Sequence, residues 1–347
     1  MRQTATAALL DTFRPSLIPL EENLTAALFP LMKIIPAASC VRQAMQEGLL
    51  ERGAEVVESS SGTMALGLAL VCNWLGFRLT IVTDYACDDA LRRRLEDLGA
   101  KVDRVAQPAA SGGYQRARLD RLHEILQTIP GSWWVNQYGN PANPGAYSEF
   151  ISQLIQTLGR VDILVGTVGS GGSLCGSSAY LRALFPEART IGVDTFGSVL
   201  FGLPDGPRRL RGLGNSLMPP NLDHTLIDEV HWVSAAEAYT ATRVLHRATG
   251  LFRGGTTGAA WMVARYLAAR EPQARVVFLS PDDGNRYADS IYNDSYLMDN
   301  SLLLDELPAE PVRVAHPEEA SSHWSVLDWQ RRPLTEWTNN LTVEVAV

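Results

Sequence analysis

The sequence predicts an α/β fold built on mainly parallel sheets, and three observations carry that prediction. Between about residues 54 and 280, short β-branched or apolar runs alternate with longer amphipathic ones, as strand–helix–strand crossovers require. A glycine cluster at 166–173 lies where one apolar run passes into a helix, the junction at which open α/β sheets bind ligands. The chain has 347 residues, 46% hydrophobic and 20% charged, which is ordinary globular composition and enough length for two packed lobes.

The expected strands are Glu55–Glu58, Arg78–Thr83, Val102–Val105, Trp133–Asn136, Ile163–Thr167, Thr190–Asp194 and Val276–Leu279, with helices between them. Two helices stand out. Asp88–Gly99 is charged and amphipathic, closed by Gly99, and Lys101 opens the next strand. Ser173–Leu184 starts directly after the glycine cluster. Beyond about Leu304 the chain turns to Pro, Glu and Ser, followed by Trp324, Trp329 and Trp337. This reads as a tail, 305–347, that packs on its own or a partner subunit.

Composition narrows the function. The net charge is −8 and the 30 basic residues are scattered, so no stripe exists for a polyanion and nucleic acid is not an expected partner. No run approaches a membrane span, and the N-terminus lacks an apolar core followed by a small-residue cleavage site, so a cytoplasmic protein is expected. Cys40, Cys72, Cys87 and Cys175 are far apart, without CxxC, and are expected to stay thiols. The six histidines are dispersed, so no metal site is expected.

Gly166-Thr-Val-Gly169-Ser170-Gly171-Gly172-Ser173 follows an apolar strand and opens a helix. Successive N–H groups and the helix dipole converge there on one anion, and a phosphate fits. Gly169, Gly171 and Gly172 allow close backbone approach, while Ser170 and Ser173 offer hydroxyls. Such a turn serves strand-to-helix packing equally well. Its mid-chain place, a spacing unlike GxGxxG and the lack of Gly-Lys-Ser/Thr count against a dinucleotide fold or a P-loop.

The cluster resembles the GTGGT phosphate loop of cysteine synthases, and other segments agree with that family in order. Glu58-Ser-Ser60-Ser61-Gly62-Thr63-Met64-Ala65 is similar to its TSGNTG substrate loop, and Asn136-Gln137-Tyr-Gly-Asn-Pro-Ala-Asn143-Pro144 to QFDNPANP. Gly212-Leu-Gly214 with Pro220-Asn-Leu-Asp223 and Ile227-Asp-Glu-Val230 resembles GIG…P(E/N)LD…IDEV. Gly255-Thr-Thr-Gly258-Ala-Ala260 resembles GxSSGAA, and Pro281-Asp282-Asp283-Gly284-Asn-Arg286-Tyr287 resembles PDSGxRY. The resemblance covers about residues 15 to 295 and identifies the chain as an atypical member of the cysteine synthase and β-substituted-alanine synthase group, within the tryptophan synthase β-like, fold type II enzymes that depend on pyridoxal 5'-phosphate (PLP).

That resemblance implies Lys33 as the cofactor lysine. Laying Pro36-Ala-Ala-Ser39-Cys-Val41 on the family's NPGGSVK puts Val41 at the catalytic position. The family's lysine, however, precedes a Gly-Leu-Leu by about fifteen residues, and Lys33 stands at that interval before Gly48-Leu49-Leu50. Lys33 and Lys101 are the only lysines, and Lys101 sits in an exposed-looking turn. Leu28-Phe-Pro-Leu-Met-Lys33-Ile-Ile-Pro surrounds Lys33 with apolar residues that favour a neutral, reactive amine. Without the family context, a lysine snorkelling from a helix start is the favoured reading.

The resemblance further implies two domains, 45–145 carrying the substrate loop and 1–44 plus 146–304 carrying the phosphate cradle, and a homodimer. It implies β-replacement on an O-activated serine through an aminoacrylate, with Lys33 as base. Ser60, Ser61, Gly62, Thr63, Met64 and Gln137 would hold the substrate carboxylate. Thr63 stands where the family has an asparagine facing the ring's 3'-oxygen. Asp283 falls where the family places a hydroxyl at the pyridine nitrogen, and a carboxylate there strengthens the electron sink. Alternatively, Asp283 caps the Gly284 turn and Asp282 is the better-aligned acid. Elimination (a lyase or dehydratase), racemase or decarboxylase chemistry shares these residues. An inactive relative serving as a binding subunit and, more weakly, a nucleotide-dependent oxidoreductase are the readings outside this chemistry.

Overall fold

The computed structural model describes residues 10–210, 212–338, 345 and 346. Two sheets organise them. The smaller has the order β5 (Lys101–Arg104), β4 (Arg78–Thr83), β3 (Glu55–Ser59), β6 (Trp133–Trp134), all parallel. The larger runs β1 (Ser16–Glu21), β2 (Leu24–Leu28), β10 (Val276–Ser280), β7 (Ile163–Thr167), β8 (Arg189–Asp194), β9 (Glu229–Trp232), β12 (Ser325–Asp328), β11 (Val312–Arg313). Its five central strands, β2 to β9 in that order, are parallel, while β1 and β12 join antiparallel.

All seven expected strands form, with edges moved by local geometry. The strand expected over 133–136 stops at Trp134 because Asn136 takes a positive φ of 52° and starts a turn, its carbonyl accepting from Asn140 at 2.8 Å. The strand expected over Val102–Val105 ends one residue earlier, at Arg104, and Lys101 opens it as expected. The hairpin β1–β2, strand β9 and the tail strands were not expected. They are short, and β1 lies at the sheet edge with a half-exposed pattern that no clean alternation marks.

The helices in chain order are α1 (Ile34–Gln46), α2 (Thr63–Leu75), α3 (Asp89–Asp97), α4 (Gly113–Thr128), α5 (Ala142–Gly145), α6 (Ser148–Leu158), α7 (Gly172–Leu184), α8 (Ala235–Thr249), α9 (Gly255–Arg270) and α10 (Asp294–Asp299). Asp88 caps α3 by accepting from the Leu91 N–H at 2.8 Å, and only Leu91 and Leu95 of that charged helix are buried. A capping box of Ser234 and Glu237 starts α8. Helices α8 and α9 touch so closely that a Cβ on Gly258 would lie 2.2 Å from Thr242 Oγ1.

Apolar side chains fill both faces of the larger sheet, and a separate cluster packs α1 and α2 on the smaller one. The tail closes the larger sheet: β12 pairs with β9, Trp324 packs on one face and Trp329 on the other, each almost fully buried. The four cysteines are buried thiols. Among the described residues no helix is long and apolar enough to cross a membrane, and no metal-binding group forms.

Candidate active site

Lys33 ends the link from β2 to α1, and its Nζ lies 3.2 Å from Ser170 Oγ, at the start of the cradle. Burial lowers the amine from 10.5 to about 8, against the opposing charge of Glu58. The segment is zipped onto the end of β10: Phe29 N donates to Ser280 O at 2.9 Å and Met32 N to Pro281 O at 2.8 Å. Gly67 of α2 packs on Lys33, where a Cβ would come 2.8 Å from the lysine carbonyl oxygen. The Phe-Pro-Leu-Met sequence before Lys33 is therefore held by strand-like pairing and needs no glycine.

The glycine cluster turns from β7 into α7, and the N–H groups of Gly169, Ser170, Gly171, Gly172 and Ser173 have no protein acceptor among the described residues. Five donors at a helix start make a ready anion cradle. Glycine is required sterically at two positions, where a Cβ would lie 2.7 Å from Asn221 O at Gly171 and 2.2 Å from Asn143 Oδ1 at Gly172, and a Cβ at Gly169 would crowd Gly212 O at 3.1 Å. Gly171 also has φ +78°.

The substrate loop ends β3 and starts α2. Ser60 Oγ accepts from Gly62 N at 3.3 Å and Ala65 N at 3.2 Å, so this hydroxyl shapes the loop. The N–H groups of Ser61, Thr63 and Met64 have no acceptor among the described residues, whereas the Met64 side chain is buried in the core. Gln137 is fixed: its side chain donates to Ser59 O at 2.9 Å and its N–H to Glu58 Oε2 at 3.1 Å. Its carbonyl accepts from Asn143 at 2.6 Å and Asn221 at 3.1 Å. Glu58 is fully buried, pushed up to about 7 by desolvation, with the Gln137 and Ser59 N–H groups pulling the other way.

At the opposite wall Asp283 spends its carboxylate on the Asn285 N–H, 2.9 Å away, which is the turn-capping arrangement. Asp282 is the buried acid. One of its oxygens accepts from Tyr287 Oη at 2.8 Å, the other has no partner, and burial pushes it up to about 6. Nearby, Arg253 is buried and donates to Ser280 Oγ (2.7 Å), Ser280 O (2.9 Å) and Phe29 O (2.5 Å). Thr256, buried at the start of α9 and facing Gly212, has a hydroxyl without a protein partner among the described residues.

Glu58, Asn143, Arg253, Thr256 and Arg286 were not assigned from the sequence. All but Arg253 lay inside quoted motifs; the one trace of Arg253 was a lone basic residue against the Gly254-Gly255 turn.

A buried amine on a lysine, five free N–H donors in a glycine cradle and hydroxyls around them fit a phosphorylated aldehyde. The comparison with known families agrees: residues 31–282 match the pyridoxal-phosphate dependent enzymes. The chain belongs to this family. Among curated relatives, N-(2-amino-2-carboxyethyl)-L-glutamate synthase of Ralstonia nicotianae is 37% identical over 265 residues, 76% of this chain and 78% of that protein. The enzyme of the same name from Cupriavidus metallidurans is 35% identical over 271 residues, 76% and 79% respectively. The crystal structure of an O-acetylserine dependent cystathionine beta-synthase from Helicobacter pylori superposes with a TM-score of 0.73 at 25% identity, covering 81% of this chain and 96% of that one. The fold is that of the tryptophan synthase β-like, fold type II PLP enzymes.

Proposed function

We propose that this PLP-dependent enzyme performs β-replacement on an O-activated serine, with an amino group of an acidic amino acid as the nucleophile. Lys33 Nζ, buried beside Ser170 at the mouth of the cradle, is the observation that carries the reading. The nucleophile is inferred from the product that names the curated relatives, in which a 2-amino-2-carboxyethyl unit is joined to the nitrogen of glutamate.

Bound PLP withdraws electrons from the substrate α-carbon. The residues of this chain do the rest. Gly169 to Ser173 hold the phosphate through N–H groups and the Ser170 and Ser173 hydroxyls. Ser61, Thr63 and Met64 offer N–H groups to the substrate carboxylate, Gly62 lets the loop approach, and Ser60 and Gln137 keep it in shape. The Thr256 hydroxyl, Asp282 and Asp283 would line the ring-nitrogen side, and Thr63 the 3'-oxygen side. Lys33 takes the α-proton; the β-carbon–oxygen bond then breaks, the leaving group departs with its electron pair, and the nucleophile's nitrogen bonds the β-carbon and releases a proton. Lys33 returns a proton to the α-carbon.

The same reading takes the enzyme as a cytoplasmic homodimer with domains 45–145 and 1–44 plus 146–304. Sedimentation analysis tests the dimer: a protein that stays monomeric at micromolar concentration removes it.

Purified protein is expected to be yellow, to lose its visible absorbance with borohydride, and to release phosphate or acetate from O-phospho- or O-acetyl-serine in step with adduct formation on L-glutamate. Lys33→Ala abolishes turnover, and borohydride then fixes no pyridoxyl group to the chain, which mass spectrometry reads. A colourless protein that takes up no PLP refutes the reading.

A further inference from the structure

A cavity of about 630 Å³ lies between the start of α3, the Arg208–Leu210 loop and residues 285–290. Its volume falls within the range of about 300–1,000 Å³ usual for small-molecule sites. It adjoins the active site on two sides. Arg286 lines it, donates to Ser61 O at 2.9 Å and would touch a Cβ on Gly62 at 3.3 Å; Gly255, the neighbour of Thr256, lines the other wall.

The charges around it are unequal in their commitments. Arg286 is paired with Asp88 at 3.1 Å, Asp89 with Arg92 at 3.4 Å, and Arg208 with Asp205 at 2.9 Å. Arg93 has no ion pair or side-chain hydrogen bond among the described residues, and Arg209 reaches only the neutral amide oxygen of Asn300. Against these two guanidinia stands one carboxylate of the lining without an ion pair among the described residues, Asp289. A guanidinium presents a planar fork matched to a carboxylate, so two of them on one cavity favour an anion with carboxylates at both ends.

We propose that this cavity is the binding site of the second substrate, and that Arg93 and Arg209 select a dicarboxylic amino acid by pairing with its carboxylates while its amine points past Ser61 toward the reacting carbon. The inference rests on the β-replacement reading for the identity of the reaction, but the site makes a claim about binding that stands by itself. Uncharged or small nucleophiles gain nothing from these two residues.

The test uses PLP-loaded protein, L-glutamate as the probe, and L-glutamine and sulfide as comparisons. Calorimetry gives the dissociation constant of L-glutamate for the wild type, Arg93→Gln and Arg209→Gln; turnover with a serine ester gives KM for L-glutamate and for sulfide. Each variant is expected to weaken L-glutamate binding and raise its KM about tenfold, the effect of losing about 1.4 kcal/mol, while KM for sulfide moves less than about twofold, a difference worth about 0.4 kcal/mol. Equal effects on L-glutamate and sulfide, or none on either, overturn the site. Wild-type protein that binds L-glutamate through both arginines but forms no adduct keeps the site and refutes the reaction. Wild-type protein that binds L-glutamine as well as L-glutamate refutes the dicarboxylate selection.

Discussion

Replacing Arg253 with methionine keeps most of the side-chain volume and removes three donated hydrogen bonds, to Ser280 Oγ, Ser280 O and Phe29 O. All three acceptors are at buried positions. Leaving these buried acceptors short of a donor costs about 1–3 kcal/mol each, and about 3–5 kcal/mol together because Ser280 keeps other partners. With an unfolding entropy of about 2.1 cal/mol/K per residue, hence about 0.7 kcal/mol/K for this chain, the melting temperature is expected to fall by about 4–7 °C. Thermal melts followed by far-ultraviolet circular dichroism measure it. Because Phe29 opens the segment that presents Lys33, PLP affinity should fall as well, read by titrating the visible absorbance. Arg253→Lys is expected to recover less than half of the loss, since one ammonium cannot serve three acceptors spread around a planar fork. A shift under about 1 °C for Arg253→Met, or full recovery in Arg253→Lys, refutes the account.

Gly172→Ala drives a methyl into Asn143, which is fully buried and bonded to the Gln137 carbonyl; overpacking of about 1–3 kcal/mol is expected, together with weaker phosphate binding seen as a higher PLP dissociation constant. The Glu58 carboxyl titrates higher in the fold, about 7, than its ordinary 4.5, so the native state binds the extra proton. Stability from this group is complete below pH 4.5 and is lost as pH rises to about 7, by up to about 3 kcal/mol. Urea midpoints at pH 5 and pH 8 should therefore differ less in Glu58→Gln than in the wild type, and parallel profiles would dismiss the carboxylate's part. Trp324→Ala empties a buried site and leaves His231 without its indole donor at 3.0 Å. A loss of about 3–5 kcal/mol and earlier proteolysis after residue 304 are expected, with the PLP spectrum unchanged.

The parallel core of both sheets was legible because buried strands such as Ile163–Thr167 and Arg78–Thr83 are short runs rich in β-branched and aliphatic residues. The cradle was legible for a different reason: its glycines answer to steric limits that no other residue meets. What escaped was long-range. The hairpin β1–β2 gains its stability by pairing with β10, some 250 residues later, and β12 by pairing with β9. Neither partner can be seen from the short segment itself. At the site, Lys33 was placed by family spacing, whereas its support by Arg253 and Gly67 depends on contacts between elements far apart in sequence. Asp283 shows the reverse case, where a local turn signal, Asp-Asp-Gly-Asn, already accounted for the carboxylate.

Gly67 bears on how this enzyme can be re-engineered. Its Cα side rests on the main chain of Lys33, four residues into the helix that the substrate loop begins. A transplanted segment that runs past Met64 into the helix would bring a foreign side chain down on the lysine unless the graft carries a glycine at that depth. The loop can thus be exchanged from Ser60 through Met64 with Gly67 kept, and a library built that way samples new substrates without moving the amine.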